Sequence, residues 1–283
     1  MTPATGDRQL ELDGRVAVIT GAASGLGAAM AHRFAAARMR MVLADIEHAP
    51  LERLAGELTD RGTDVHTMVV DVRDGASVAA LADLAYARCG AVHVLCNNAG
   101  VAAGGRAWEM TEADWSWVLG VDLWGVIHGV RAFVPRMIAG GEPGHVVNTG
   151  SMTSLLAVPG LAAYGAAKSA VASLSESLSL DLEAEGADIG VSVLCPGYVE
   201  TRIRDSARNR PDDVAEAAPP RPRTRTTDGV TPRMTAADVA DEVAHAVIHR
   251  DFWILTHRDY RPLIRARAEG IGAGGRPLTP PIW

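Results

Sequence analysis

The sequence predicts an α/β fold in which a parallel sheet is covered by helices on both faces. Three observations predict it. Short β-branched apolar runs alternate with helical stretches along most of the chain. The runs are apolar throughout, as strands buried on both faces are. A glycine-rich turn joins the first run to the first helical stretch.

Seven strands are expected, at 16–20, 41–45, 65–70, 92–96, 145–149, 191–195 and 252–256. Helical periodicity marks 26–37, 76–88 and 162–185 among the intervening segments. The 283 residues suit a single domain of this class, and 48% apolar content supplies its core. The stretch 204–233, rich in Arg, Pro, Asp and Thr, breaks the pattern. It reads as a lid insertion over a ligand site or as a solvated loop. An arginine clamp on an anionic group is one possible role for it. The chain after Tyr260 also reads as irregular, with Ile282 and Trp283 apolar enough to dock on this subunit or a neighbour. The expected organisation is an arm over 1–11, a domain over 12–257 and a tail over 258–283.

A net charge of −7 argues against nucleic-acid binding. The first 12 residues have no signal-peptide core, and no run of 18 apolar residues occurs, so no membrane span is expected. Cys89, Cys96 and Cys195 lack C-x-x-C spacing, which argues against a disulfide framework or zinc site and for a reducing cytoplasm. Of the 27 basic residues only Lys168 is a lysine. A point charge has been kept there where an arginine fork stands everywhere else.

The first strand runs into Thr20-Gly21-Ala22-Ala23-Ser24-Gly25-Leu26-Gly27 and then a helix. Glycines let backbone approach a pyrophosphate, and the helix start offers N–H groups to the anion. A strand-to-helix turn needing positive φ is the plainer reading of the same glycines. Asp45 closes the second strand, 24 residues after Gly21. A carboxylate there accepts bonds from ribose hydroxyls and repels a 2′-phosphate, and neither Ser24 nor Ile46 sets a cation beside it. NAD is therefore expected over NADP. Asp71-Val72 and Asn98-Ala99-Gly100 fall at further strand ends, where ligands bind in open α/β sheets. Asn98 alternatively serves only the turn.

Tyr164 and Lys168, four apart on the stretch 162–185, project from one helix face. A free phenol has a pKa of about 10 and is a poor base near neutrality, so a nearby ammonium is expected to favour its ionised form. Ser151 stands after the fifth strand, 13 residues before Tyr164, with Ser154 a competing hydroxyl. Pro196-Gly197 follows the sixth strand.

Taken together, these motifs resemble the classical short-chain dehydrogenase/reductase family, over roughly residues 12–257. The resemblance implies a single-domain Rossmann-like fold and hydride transfer between a nicotinamide cofactor and an alcohol or ketone. It assigns proton transfer to Tyr164, the substrate oxygen to Ser151, and the nicotinamide ribose to Lys168. It assigns the nicotinamide amide to the Val199 backbone and Thr201. The family often carries serine at Gly150. It usually carries asparagine at Asp122, a fourth catalytic member acting largely through its backbone at a helix kink. Aspartate can keep that role while adding charge near Lys168.

Apolar Met152, Leu155, Leu156, Val158 and Leu161, with 103–108 and Tyr198, suggest a hydrophobic secondary alcohol or ketone, cyclic and aromatic ones included, while packing in the core is the plainer reading of several of them. The resemblance further implies a homodimer or homotetramer through the helices expected at 112–138 and 162–185. An NADP-dependent carbonyl reductase, a related epimerase or dehydratase, and a non-catalytic dinucleotide sensor are the alternative readings.

Overall fold

The computed structural model describes residues 9–211 and 234–278. Its single sheet has seven parallel strands in the order β3-β2-β1-β4-β5-β6-β7. They are β1 (Val16–Thr20), β2 (Arg40–Asp45), β3 (Val65–Val69), β4 (Val94–Asn97), β5 (Gly144–Thr149), β6 (Ile189–Leu194) and β7 (Trp253–Ile254). β1, β4 and β5 are buried along their whole length, which is why their sequences are apolar without alternation. β3 lies at one edge and is only partly buried. β7, at the other edge, has two residues where five were expected.

Eight α-helices lie among the described residues: α1 (Gly25–Ala36), α2 (His48–Thr59), α3 (Gly75–Cys89), α4 (Glu112–Leu119), α5 (Gly125–Gly140), α6 (Ala162–Glu185), α7 (Ala236–His249) and α8 (Arg261–Gly272). Two apolar layers result. One joins α1, α2 and α7 to one sheet face through Phe34, Leu51 and Val243. The other joins α3, α5 and α6 to the opposite face through Leu81, Phe133 and Ala167.

The helix expected over 112–138 is one rod in three parts: a π-helical turn, Gly120–Trp124, separates α4 from α5. This rod is long and apolar enough to cross a membrane. Half of its most apolar window is buried against the rest of the protein, so packing accounts for its composition. The tail is a correction. Residues 261–272 form helix α8 rather than irregular chain, with Pro262 in its first turn. Tyr260, just before it, is buried against Met152 and Cys195. The insertion is also ordered at its start, since Arg202–Asn209 form a 3₁₀ segment. Its remainder from 212 to 233, and the docking expected of Ile282 and Trp283, lie outside the described residues.

Candidate active site

The cleft lies at the carboxyl ends of the strands, where β1 and β4 are neighbours and chain direction across the sheet reverses. The turn after β1 is held by close approach. A Cβ on Gly27 would stand 2.1 Å from the Gly21 carbonyl oxygen, so only glycine lets α1 start this near the strand. Gly27 sits beneath the cleft, and Gly21, Ser24, Gly25 and Leu26 line it. Ser24 caps α1 with no side-chain hydrogen bond, which leaves the first N–H groups of the helix for an anion. Asn98 performs the turn role weighed for it. Its Nδ2 donates to the carbonyls of Thr20 (3.0 Å) and Gly21 (3.3 Å), while Thr149 Oγ1 donates to its Oδ1 (3.3 Å). One side chain thereby ties three strand ends together beside the cleft, which Ala99 and Gly100 also line.

At the far end, Asp45 is buried, with Ala23 N–H donating to Oδ2 (2.8 Å) and Glu47 N–H to Oδ1 (2.9 Å). Burial raises its pKa above the usual carboxylate value, and those two N–H groups oppose the rise. Ile46 is exposed beside it. Burial also pushes the Asp71 carboxyl up, but the Arg73 guanidinium, 2.7 Å away, and the Arg73 N–H outweigh it and leave the pKa lowered. Val72 completes this wall. Neither Ser24 nor Ile46 sets a cation beside Asp45, but the fold brings two more guanidinium groups to the cleft. Arg202 and Arg208 arrive from the segment after β6, both paired with Glu47, and all three line the cleft. A pairing across 161 residues has no local signal.

At the other end the fold brings Ser151, Tyr164 and Lys168 to one wall. Lys168 is buried, its Nζ donating to the Thr149 carbonyl (2.9 Å) and standing 5.7 Å from the Tyr164 ring centre. Asp122 lies behind it, fully buried in the π-helical turn. The Val101 N–H donates to its Oδ1 (2.8 Å), and its Oδ2 is 3.7 Å from Lys168 Nζ. Burial raises the Asp122 carboxyl to about 6 against the pull of Lys168.

The phenol does not follow the simple expectation. Burial raises the Tyr164 pKa, the Asp122 charge adds to the rise, and a hydrogen bond with Ser151 opposes it. The Lys168 ammonium is matched by Asp122, so it does not act alone on the phenol. The competing hydroxyl, Ser154, is engaged within the protein: its Oγ donates to the Lys168 carbonyl (2.7 Å) and accepts from Ser151 N–H (3.2 Å). Gly150 has a local reason: a Cβ there would stand 2.9 Å from that same Ser154 Oγ.

Pro196 and Gly197 line the cleft, held from below. The Pro196 carbonyl accepts from Met152 N–H (2.9 Å), and Gly197 N–H donates to His257 Nδ1 (3.1 Å). Val199 and Thr201 follow, Thr201 lying over Gly25. The strap Arg202–Asn209 then crosses the cleft. Ser206 Oγ accepts from Ala102 N–H (3.1 Å) on the near side. Arg210, just beyond, pairs with Asp114 (2.7 Å) over the Trp117 ring. Of the apolar set expected at the substrate, Met152 and Leu156 are core residues, packed with Ala172 and Val193. Leu155, Val158 and Leu161 stay partly exposed.

A Rossmann-like sheet with a glycine turn at one end and a Ser-Tyr-Lys wall at the other defines a nucleotide-dependent oxidoreductase. The chain belongs to the short-chain dehydrogenase family, whose model matches residues 15–212. A short-chain dehydrogenase/reductase from Burkholderia phymatum, solved in complex with NAD, is 41% identical, with a TM-score of 0.90 over 96% of this chain and 99% of that one. A 1-deoxy-11-beta-hydroxypentalenate dehydrogenase of Streptomyces exfoliatus is 36% identical over 93% of this chain and 90% of its own length. A CLA biosynthesis dehydrogenase/reductase of Lactiplantibacillus plantarum is 31% identical over 93% and 95%. The protein is an oxidoreductase of this family acting on alcohols or ketones.

Proposed function

We propose that the protein is an NAD-dependent dehydrogenase interconverting a hydrophobic secondary alcohol, cyclic and aromatic ones included, and its ketone. The observation that carries the reading is one cleft with Asp45 at one end and Ser151, Tyr164 and Lys168 at the other. The donor set fits the dinucleotide: uncapped helix N–H groups for the pyrophosphate, the Asp45 carboxylate for ribose hydroxyls, and an ammonium at the reactive end. When bound, the oxidised nicotinamide accepts a hydride and brings a positive charge to the cleft. Tyr164 Oη takes the hydroxyl proton of the alcohol, and Ser151 Oγ donates a hydrogen bond to the substrate oxygen. Lys168, held by Thr149 and Asp122, positions the nicotinamide ribose. Val199 backbone and Thr201 hold the amide.

The rim supports a hydrophobic substrate. Gly105 N–H donates to the Gly160 carbonyl (2.9 Å), which joins the two loops expected to line the pocket, and Leu155, Val158 and Leu161 lie along the second. The test is oxidation of a panel of secondary alcohols, followed by appearance of reduced nicotinamide. Turnover with NAD at least about tenfold above that with NADP is expected. Preference for NADP would overturn the cofactor assignment.

A cytoplasmic homodimer or homotetramer through α4–α5 and α6 completes the proposal. Trp124 and Leu180 are exposed apolar side chains on those elements. Light scattering is expected to give a multiple of the chain mass, lowered by Leu180→Asp. A monomeric wild type would exclude it.

A further inference from the structure

Two guanidinium groups that line the adenosine end of the cleft, those of Arg202 and Arg208, face the same carboxylate. Glu47 follows Asp45 by two residues and starts α2, but its side chain makes no cap on that helix. It reaches the strap instead. Arg208 Nε donates to Glu47 Oε1 and Oε2 (both 3.2 Å) and Nη2 donates to Oε2 (2.8 Å). Nη1 of the same residue donates to the carbonyls of Arg202 and Asp205 (both 3.0 Å). All three guanidinium nitrogens are therefore occupied. Arg202 Nη1 stands 3.8 Å from Glu47 Oε1. Glu47 and Arg208 are sheltered, with side-chain exposures of 18% and 24%. The Arg208 hydrogen bonds hold the Glu47 carboxyl below the usual range, so it stays ionised at neutral pH.

We infer that Glu47 is a specificity-determining residue that keeps Arg208 and Arg202 from serving as a 2′-phosphate site. An arginine fork is the side chain best suited to a phosphate, and two of them line the cleft that Asp45 lines. As built, the one Glu47 carboxylate faces both guanidinium groups, and the Arg208 fork is filled by its own protein. Without the Glu47 charge, Arg202 and Arg208 lose the carboxylate they pair with, and Arg208 Nε and Nη2 regain free donors. Asp45 repels a phosphate; Glu47 removes the groups that would attract one. The inference rests on the NAD reading.

The test is direct titration of the purified protein with NADH and with NADPH, followed by nicotinamide fluorescence. The variants are Glu47→Gln, which keeps size and loses charge, and Glu47→Gln/Arg208→Gln. Wild type is expected to bind NADH more tightly. Glu47→Gln should tighten NADPH binding about tenfold or more, with NADH changed less than about threefold, and the double variant should lose the gain. Unaltered NADH binding also reports that the variant has folded. If wild type binds NADPH more tightly, the NAD reading fails and the inference with it. If wild type prefers NADH but Glu47→Gln leaves NADPH within about twofold, or the double variant keeps the gain, the inference alone is overturned.

Discussion

Asp122 Oδ2 lies 3.7 Å from Lys168 Nζ, and water reaches neither side chain to any extent. The buried ammonium beside Tyr164 is therefore partly neutralised from behind. The Asp122 charge is also a direct cause of the raised Tyr164 pKa, second to burial.

Replacing Asp122 by asparagine removes that charge while keeping an Oδ1 for the Val101 N–H. The phenol pKa then falls. Alcohol oxidation needs the deprotonated phenol, so its rate climbs with pH, and Asp122→Asn moves the climb to lower pH. Plateau turnover should stay within about tenfold, because the π-helical turn and its backbone are unchanged. A pH–rate profile of both proteins checks this. A superimposable rising limb would contradict it, and a gain of orders of magnitude at the plateau would mark Asp122 as an impairment.

Lys168→Met leaves the Asp122 carboxylate buried without its partner. That loss should cost roughly 3–5 kcal/mol by urea denaturation at neutral pH. Adding Asp122→Asn should restore most of it, since the uncompensated charge is then gone. Equal stability of the single and double variants would show that the two side chains do not depend on each other.

His145 is buried between β5 and β6, its Nε2 2.7 Å from Ser192 Oγ, whose hydroxyl donates to the Asp251 carbonyl. Burial, with Arg250 adding, pushes its pKa down to about 3 from an ordinary 6.5. The folded state holds His145 neutral while the unfolded chain protonates it. Its stabilisation is full above pH 6.5 and is lost as pH falls through about 3, amounting to roughly 3–5 kcal/mol. Asp122 acts in the opposite sense, because its folded pKa is raised to about 6. Its contribution is full below the ordinary carboxylate value and is lost as pH rises through about 6. Urea midpoints across this range should fall less steeply on acidification in His145→Gln and more steeply in Asp122→Asn. Parallel curves for all three proteins would rule the assignment out.

The local parts of this molecule were legible because their causes are local. β1 and α6 fall where the sequence places them, as an apolar run and an uninterrupted helical stretch. The glycine turn, Asp45 and the Tyr164–Lys168 spacing sit inside single elements, so sequence alone could propose them. What escaped depends on chain segments meeting. Glu47 and Arg208 are 161 residues apart, and nothing near either predicts the other. Helix α8 was missed because Pro262 and scattered arginines hide a segment whose inner neighbour, Tyr260, is fixed by tertiary burial. Met152 and Leu156 looked like pocket residues from composition, yet the short 3₁₀ turn after Ser151 directs them into the core.

The most direct test of the central claim is Tyr164→Phe, assayed for both NADH binding and alcohol oxidation. Loss of one hydroxyl leaves the glycine turn, Asp45 and Lys168 in place, so the NADH Kd should stay within about threefold while turnover drops about 10²–10⁴-fold. Turnover near the wild-type level, with cofactor binding intact, would show that the proton moves through another group.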